Sequence, residues 1–155
     1  MFELKEITIK NIHWYCRFEK TFEDDLKNFQ SRIYPHHSDF FVPLTEQKML
    51  RWSYIMYNGN PIGAIWLEKD HPSLRTASMG IFIAEKELRC KGIGRKAIER
   101  FIQNSKKELN LKEITLNVRK ENIRAIRCYE KCGFSTEREY EKSYGVKALK
   151  MVKIL

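Results

Sequence analysis

The segment that most narrows what this chain can fold into is Arg89-Cys90-Lys91-Gly92-Ile93-Gly94, set between a strand-like run, Ala77 to Ile83, and an amphipathic stretch from about Gly92 to Leu109. Ile93, Ala97, Ile98, Phe101, Ile102 and Leu109 recur at helical spacing in that stretch, so one face of the helix packs on a sheet. Two glycines without Cβ let the backbone turn tightly and let a ligand come close, and they leave several N–H groups converging at a helix N-terminus. Such a place suits phosphate. Arg89, Lys91, Arg95 and Lys96 surround it with positive charge. The loop is not G-x-x-x-x-G-K-[ST], and it is not G-x-G-x-x-G because Ala97 stands at the third glycine position. Nucleoside triphosphate and dinucleotide sites are thereby disfavoured. A glycine turn with incidental surface lysines reads the same way, so the loop alone does not decide.

The rest of the chain supplies alternating strands and helices. Phe2 to Lys10 alternates loosely and reads as a strand, and about Asn11 to Tyr34 reads as helix, ending before Pro35. A loop follows through Pro35 and Val42-Pro43, then a short helical segment around Thr45 and Gln47-Lys48-Met49. Arg51–Tyr57 and Ile62–Leu67 are β-rich and joined through Asn58-Gly59, a strong hairpin signal. Lys112–Val118 is a further strand, Asn122 to Gly133 a helix with an N-cap at one end and a C′ glycine at the other. Phe134–Tyr140 and Val146–Ile154 form a last hairpin. The order β-αα-βββ-α-β-α-ββ predicts an α/β (α+β) fold, a mixed sheet flanked by helices.

A second constellation is Asn122-x-x-Ala125-x-x-x-Tyr129-x-x-x-Gly133-Phe134. Asn122 and Tyr129 are about two helical turns apart and project along one face. Taken alone, the tyrosine reads as core and the asparagine as a cap. The order strand, Arg-x-x-Gly-x-Gly, helix, strand, Asn-x-x-Ala-x-x-x-Tyr-x-x-x-Gly-Phe resembles the GNAT superfamily of N-acetyltransferases. The likeness is strong over residues 77–134 and extends loosely over the whole chain.

The resemblance implies one GNAT domain over residues 1–155, with a mostly antiparallel sheet whose central strands splay apart. Acetyl-CoA would be the cosubstrate, with no metal. The backbone of Ile81 and Ile83 would pair with the pantetheine arm like an added strand. The N–H groups of Lys91, Gly92, Ile93, Gly94 and Arg95 would hold the pyrophosphate, with charge from Arg89, Lys91, Arg95 and also Arg127. Asn122 would touch the cofactor, and Tyr129 would lie near its sulfur. The implied chemistry is direct attack of an amine on the thioester in a ternary complex. Holding both reactants together contributes up to about 7–11 kcal/mol in ideal cases. Main-chain donors would stabilise the oxyanion, and Tyr129 would protonate the departing thiolate as general acid.

Two departures from the family pattern stand out. Cys90 occupies a position often held by glycine, which is acceptable only if that position needs no positive φ. The strand Ala77–Ile83 carries no Asp or Glu where several members keep a base, so the base is unassigned among a water chain, Glu68, Asp70, His71 and Glu85. Each of these four residues reads more readily as a solvated surface group than as a base.

The acceptor is not named by the sequence: a small amine, an amino-sugar or aminoglycoside-like compound and a protein N-terminus all stay open. Glu19, Glu23, Asp24 and Asp25 could attract a cation, and Tyr34, Phe40-Phe41, Trp52 and Trp66 could line a slot, yet solvated face and core packing are the simpler uses. A non-enzymatic acyl-CoA-binding or sensing module would keep the phosphate loop and have no need of Tyr129. The formal charge of +9, from 29 Lys and Arg against 20 Asp and Glu, favours a polyanion, but no aromatic-studded basic run marks a nucleic-acid partner. Cys128 and Cys132 lie four apart and could give two metal ligands, yet no further ligands stand nearby, so the four cysteines read as reduced, buried or idle thiols. Asp24, Asp25 and several Glu interrupt the first thirty residues, and no apolar run approaches the ~18 residues of a membrane helix. A cytoplasmic protein, with a homodimer left open, is the expectation.

Overall fold

The computed structural model describes residues 1–24, 49–142 and 145–155. These run β1 (Phe2–Glu6), α1 (Ile12–Asp24), β2 (Met49–Tyr57), β3 (Asn60–Glu68), β4 (Thr76–Ile83), α2 (Ile93–Ser105), β5 (Glu113–Arg119), α3 (Ile123–Lys131), β6 (Ser135–Glu141) and β7 (Lys147–Ile154), with a 3-10 turn at Lys86–Leu88. The strands form one sheet in the order β1-β2-β3-β4-β5-β7-β6. Every neighbouring pair is antiparallel except β4 with β5. The mixed, mostly antiparallel sheet is the one the sequence predicts. Among the described residues, no helix is long and apolar enough to cross a membrane.

Alternation along the strands sends neighbouring side chains to opposite faces. Ile55, Ile65, Leu67 and Met79 pack with Ile98, Phe101 and Ile102 of α2, and Ile114, Leu116 and Met151 complete this core. Tyr54, Trp52, Ala64 and Trp66 face the other way and pack on Tyr15 and Phe18 of α1. Tyr54 fixes the start of α1: its buried hydroxyl donates to the Asn11 carbonyl at 2.7 Å and accepts the Tyr15 N–H at 3.0 Å. The two helices thus cover opposite faces of the sheet.

The β2–β3 turn has φ of +49° at Asn58 and +79° at Gly59, as the Asn-Gly signal requires. Several boundaries differ from expectation. β1 stops at Glu6 because Asn11 folds back, accepting the Thr8 N–H and donating to the Glu6 carbonyl. α2 stops at Ser105, not Leu109: Asn110 adopts φ +52° and the Leu111 N–H returns to the Lys106 carbonyl, while Lys69 holds the Leu109 carbonyl at 2.8 Å. Met49 opens a strand, where the sequence suggested a helical segment. The remainder of the helix expected to reach Tyr34, the loop from Pro35 and the segment Thr45 to Lys48 lie outside the described residues.

Candidate active site

The sheet parts at its centre. β4 and β5 are in register only at Thr76 with Glu113, Ala77 with Ile114 and Ser78 with Thr115. Beyond them the strands diverge, because β4 continues with β3 while β5 continues with β7. The Ala84 N–H donates to the Ile62 carbonyl, which fixes the parity of β4: even-numbered residues bond to β3, and the backbone groups of Ile81 and Ile83 point into the gap. Gly80 lets this strand lie under the Trp66 indole, since a Cβ there would stand 2.1 Å from Trp66 Cζ2. Sequence reading passed over this glycine; an isolated glycine inside a strand pattern was the available signal.

At the open end, the chain passes through the 3-10 turn into the glycine loop. Gly92 caps α2 at φ +81° with no side chain bonded to the first turn, so the N–H groups of Ile93, Gly94 and Arg95 have no intrahelical partners. Cys90 sits at φ +62°, so the condition set for a cysteine at this position, no need of positive φ, is not met. An αL residue is needed there to bring the chain from Arg89 back toward Gly92, and cysteine adopts it at a cost glycine would not incur. Arg89 ties the loop to β4: its Nε donates to the Ile83 carbonyl at 2.9 Å, and burial, then the charge of Arg124, lowers its pKa. The Ile83 carbonyl is therefore engaged within the chain.

α3 forms the opposite wall. Asn122 caps it by accepting the Ala125 N–H at 3.3 Å. At the other end Gly133 takes φ +94°, its N–H reaching the Glu130 carbonyl and that of Phe134 the Tyr129 carbonyl, the paired bonds of a Schellman turn. Lys153 places its ammonium on the Cys132 carbonyl at 2.5 Å, at the negative end of the helix. Tyr129 is half-buried, and desolvation, then the Cys128 and Cys132 sulfurs, push its phenol above the ordinary value, so it stays protonated at neutral pH. Cys128 lies one turn from Cys132, and the neighbouring thiol bears on its ionisation.

These parts enclose a cleft of about 880 Å³. Ile81, Ile83, Arg89, Gly92, Gly94, Arg95, Asn122 and Tyr129, eight of the ten residues singled out in the sequence, line it. The other two do not: Lys91 is exposed, and the Ile93 side chain is buried in the core under α2, so only their backbone groups belong to the loop. Arg127, expected beside the phosphates, lines the cleft too, and the structure adds Cys128, with Arg124 and Lys131 at spacings of three and four from Arg127 along α3, which was the signal for them. Among the described residues no Asp, Glu or His lines the cleft. Asp70 and His71 precede β4 at its closed end, and Glu85 borders a separate cavity of about 580 Å³ with Trp14, Phe18 and Tyr57. Trp52 and Trp66 are core residues of the α1 face and Glu19 is buried on α1; Asp25, Tyr34, Phe40 and Phe41 lie outside the described residues.

Similarity to known proteins agrees with this geometry. Residues 10–134 match the family model described as acetyltransferase (GNAT) family. A chimera of spermidine N-acetyltransferase SpeG from Vibrio cholerae and hSSAT has a similar structure, with TM-score 0.78 and 23% identity, over 99% of this chain and 95% of that one. The Vibrio cholerae enzyme in complex with CoA and spermine matches with TM-score 0.74 and 22% identity over the same shares. The aminoglycoside acetyltransferase AAC(6')-Ib in complex with coenzyme A does so with TM-score 0.74 and 20% identity, again over 99% and 95%. These solved structures share the fold, and the family model spans most of the chain. The protein belongs to the acetyltransferase (GNAT) family and is an acetyl-CoA-dependent N-acetyltransferase.

Proposed function

We propose that the cleft between β4, α2 and α3 holds acetyl-CoA and that the acceptor is a small amine reaching the thioester from the α1 face of the sheet. One observation carries the reading: β4 and β5 part after Ser78 and Thr115, and the uncapped first turn of α2 opens on the same gap. Free backbone groups on Ile81 and the Ile83 N–H suit the amides of the pantetheine arm, as in strand addition. The N–H groups at Gly92 to Arg95, with Arg89, Arg124 and Arg127 nearby, suit a pyrophosphate. The donor set therefore fits the molecule: a strand-like edge for its amides and a positive helix terminus for its phosphates.

Catalysis on this reading is mainly alignment. The chain holds the thioester against the splay and leaves the acceptor's nitrogen a path from the opposite face. Tyr129, kept protonated by its surroundings, donates a hydrogen bond to the departing sulfur. The SpeG and AAC(6')-Ib likenesses favour polyamines and aminoglycosides over a protein N-terminus. The test is CoA thiol release across a panel of spermidine, spermine, aminoglycosides and a peptide amine. Release with none of the small amines above the hydrolysis background, in protein that binds CoA, would sink the acceptor class.

A further inference from the structure

Acyl transfer leaves the two thiols of α3 without a task, and their surroundings are unlike those of a core cysteine. Cys128 is half-buried on the cleft wall, its Sγ 3.9 Å from where a Cβ on Gly94 would stand, beside the first turn of α2. Cys132, at the C-cap, is buried one helical turn from Cys128, its backbone N–H donating to the Cys128 carbonyl. Five cationic side chains, Arg89, Arg95, Arg124, Arg127 and Lys131, line the same cleft.

We propose that Cys128 is a modification site within the cofactor cleft, where its thiolate exchanges with a small anionic disulfide of the glutathione type, and that the adduct and CoA exclude one another. The Cys128 sulfur attacks one sulfur of the disulfide. A new S–S bond forms, the old one breaks, and the departing thiolate takes up a proton from water in place of the one Cys128 released. No other oxidant is required. The cleft's cations draw in the carboxylates of such a disulfide, and its volume of about 880 Å³ accommodates a ligand of that size. An adduct standing on Cys128 beside Gly94 then fills the space read above as the pyrophosphate's.

The electrostatics agree. The neighbouring Cys132 thiol, helped by Lys131 of α3 and Arg95 of α2 and opposed by burial and by Glu99 of α2, lowers the Cys128 thiol to about 7. Cys132 moves up as the partner that keeps its proton. Cys16 is raised by burial and Glu19. Thiolate, the reacting form, therefore accumulates at Cys128 as pH rises through about 7, earlier than for an ordinary thiol near 8.5.

The experiment treats the full chain with oxidised glutathione and maps the adducts by peptide mass, with cationic cystamine as the charge control. Cys128 should react faster than Cys16, with a rate that climbs through about pH 7 and levels off above it. Cystamine should be slower, and saturating CoA should protect Cys128 and not Cys16. A Cys16→Ser, Cys90→Ser chain should keep the adduct and Cys128→Ser lose it. The adduct should weaken CoA binding by at least about tenfold, reversed by reductant. Reaction at Cys128 no faster than at Cys16, an internal Cys128–Cys132 disulfide in place of the adduct, or unchanged CoA affinity of the adduct overturns the proposal. The exclusion rests on the cofactor reading, which titration of CoA into the reduced chain tests by itself. A reduced chain that binds CoA and takes no adduct overturns the thiol proposal; one that takes the adduct and never binds CoA overturns the cofactor reading, and the exclusion with it.

Discussion

The Phe134 N–H donates to the Tyr129 carbonyl at 3.0 Å while the two rings meet edge to face, 6.1 Å between centroids and 65° between planes. Backbone and side chain of Tyr129 are thus held by the same turn, and the hydroxyl is the one part of the residue with no structural task among the described residues.

Tyr129→Phe should accordingly fold and bind acetyl-CoA as the parent does, since the ring contact is retained. Turnover should fall. General acid catalysis contributes roughly 100- to 10,000-fold in typical cases, and the thiol of CoA is already a fair leaving group, so the lower end or less is expected. The raised phenol pKa argues for a hydrogen bond to the sulfur during cleavage over complete proton transfer before it. Measuring kcat with a responsive amine decides: turnover close to the parent's, with chemistry rate-limiting, returns Tyr129 to packing alone.

Cys90 carries a different cost. Its φ of +62° disfavours any residue with a Cβ by roughly 1–2 kcal/mol, and glycine gives back about half of the relief through its freer unfolded chain. Cys90→Gly should therefore raise stability by about 0.5–1 kcal/mol, or about 2–3 °C in the melting midpoint. A lower midpoint would show that the cysteine is not strained.

At Gly80 the effect has the opposite sign. A methyl would collide with the Trp66 indole, which is 8% exposed and hemmed by Phe82, so the ring has little room to move. Gly80→Ala should cost roughly 1–3 kcal/mol as an overpacked core does. Trp66→Phe removes the colliding atoms, so the double variant should lose less than the two singles together. Additive losses in denaturant titrations would show that the contact does not cause the cost.

The contrast between these residues shows what a sequence can disclose. The glycine loop, the Asn-Gly hairpin and the Asn122 to Gly133 helix were legible because each is a local rule of backbone geometry written in adjacent residues. The Cys90 φ, the Gly80–Trp66 approach and the Arg89 bond to Ile83 were not, because each depends on the path the folded chain takes and not on a rule among adjacent residues. Of the eight expected residues that line the cleft, six sit on the glycine loop with the helix it opens or on the Asn122 to Gly133 helix, and Ile81 and Ile83 come from β4. Arg124 and Lys131 were passed over since a cation on a helix reads as solvated until the opposite wall is known.

Those cations give the last prediction. Arg89 has its Nε engaged by the Ile83 carbonyl, Arg95 pairs with Glu99 at 2.9 Å, and Lys91 is exposed without lining the cleft. Arg124 and Arg127 line it from α3, facing the loop, so the salt-sensitive part of CoA binding should fall mostly on them. Each of Arg124→Ala and Arg127→Ala should weaken CoA about three- to tenfold at low salt, as loss of one charge-assisted contact of about 1 kcal/mol does, with less difference at high salt. Lys91→Ala should change little. Arg89→Ala should lower the melting midpoint as well, because it releases the loop from β4. Titrations of CoA and dephospho-CoA then separate the phosphates: a variant that weakens CoA alone meets the 3′-phosphate, and one that weakens both meets the pyrophosphate. Should Lys91→Ala weaken binding more than both α3 variants, the phosphates lie on the solvent side of the loop and not between it and α3.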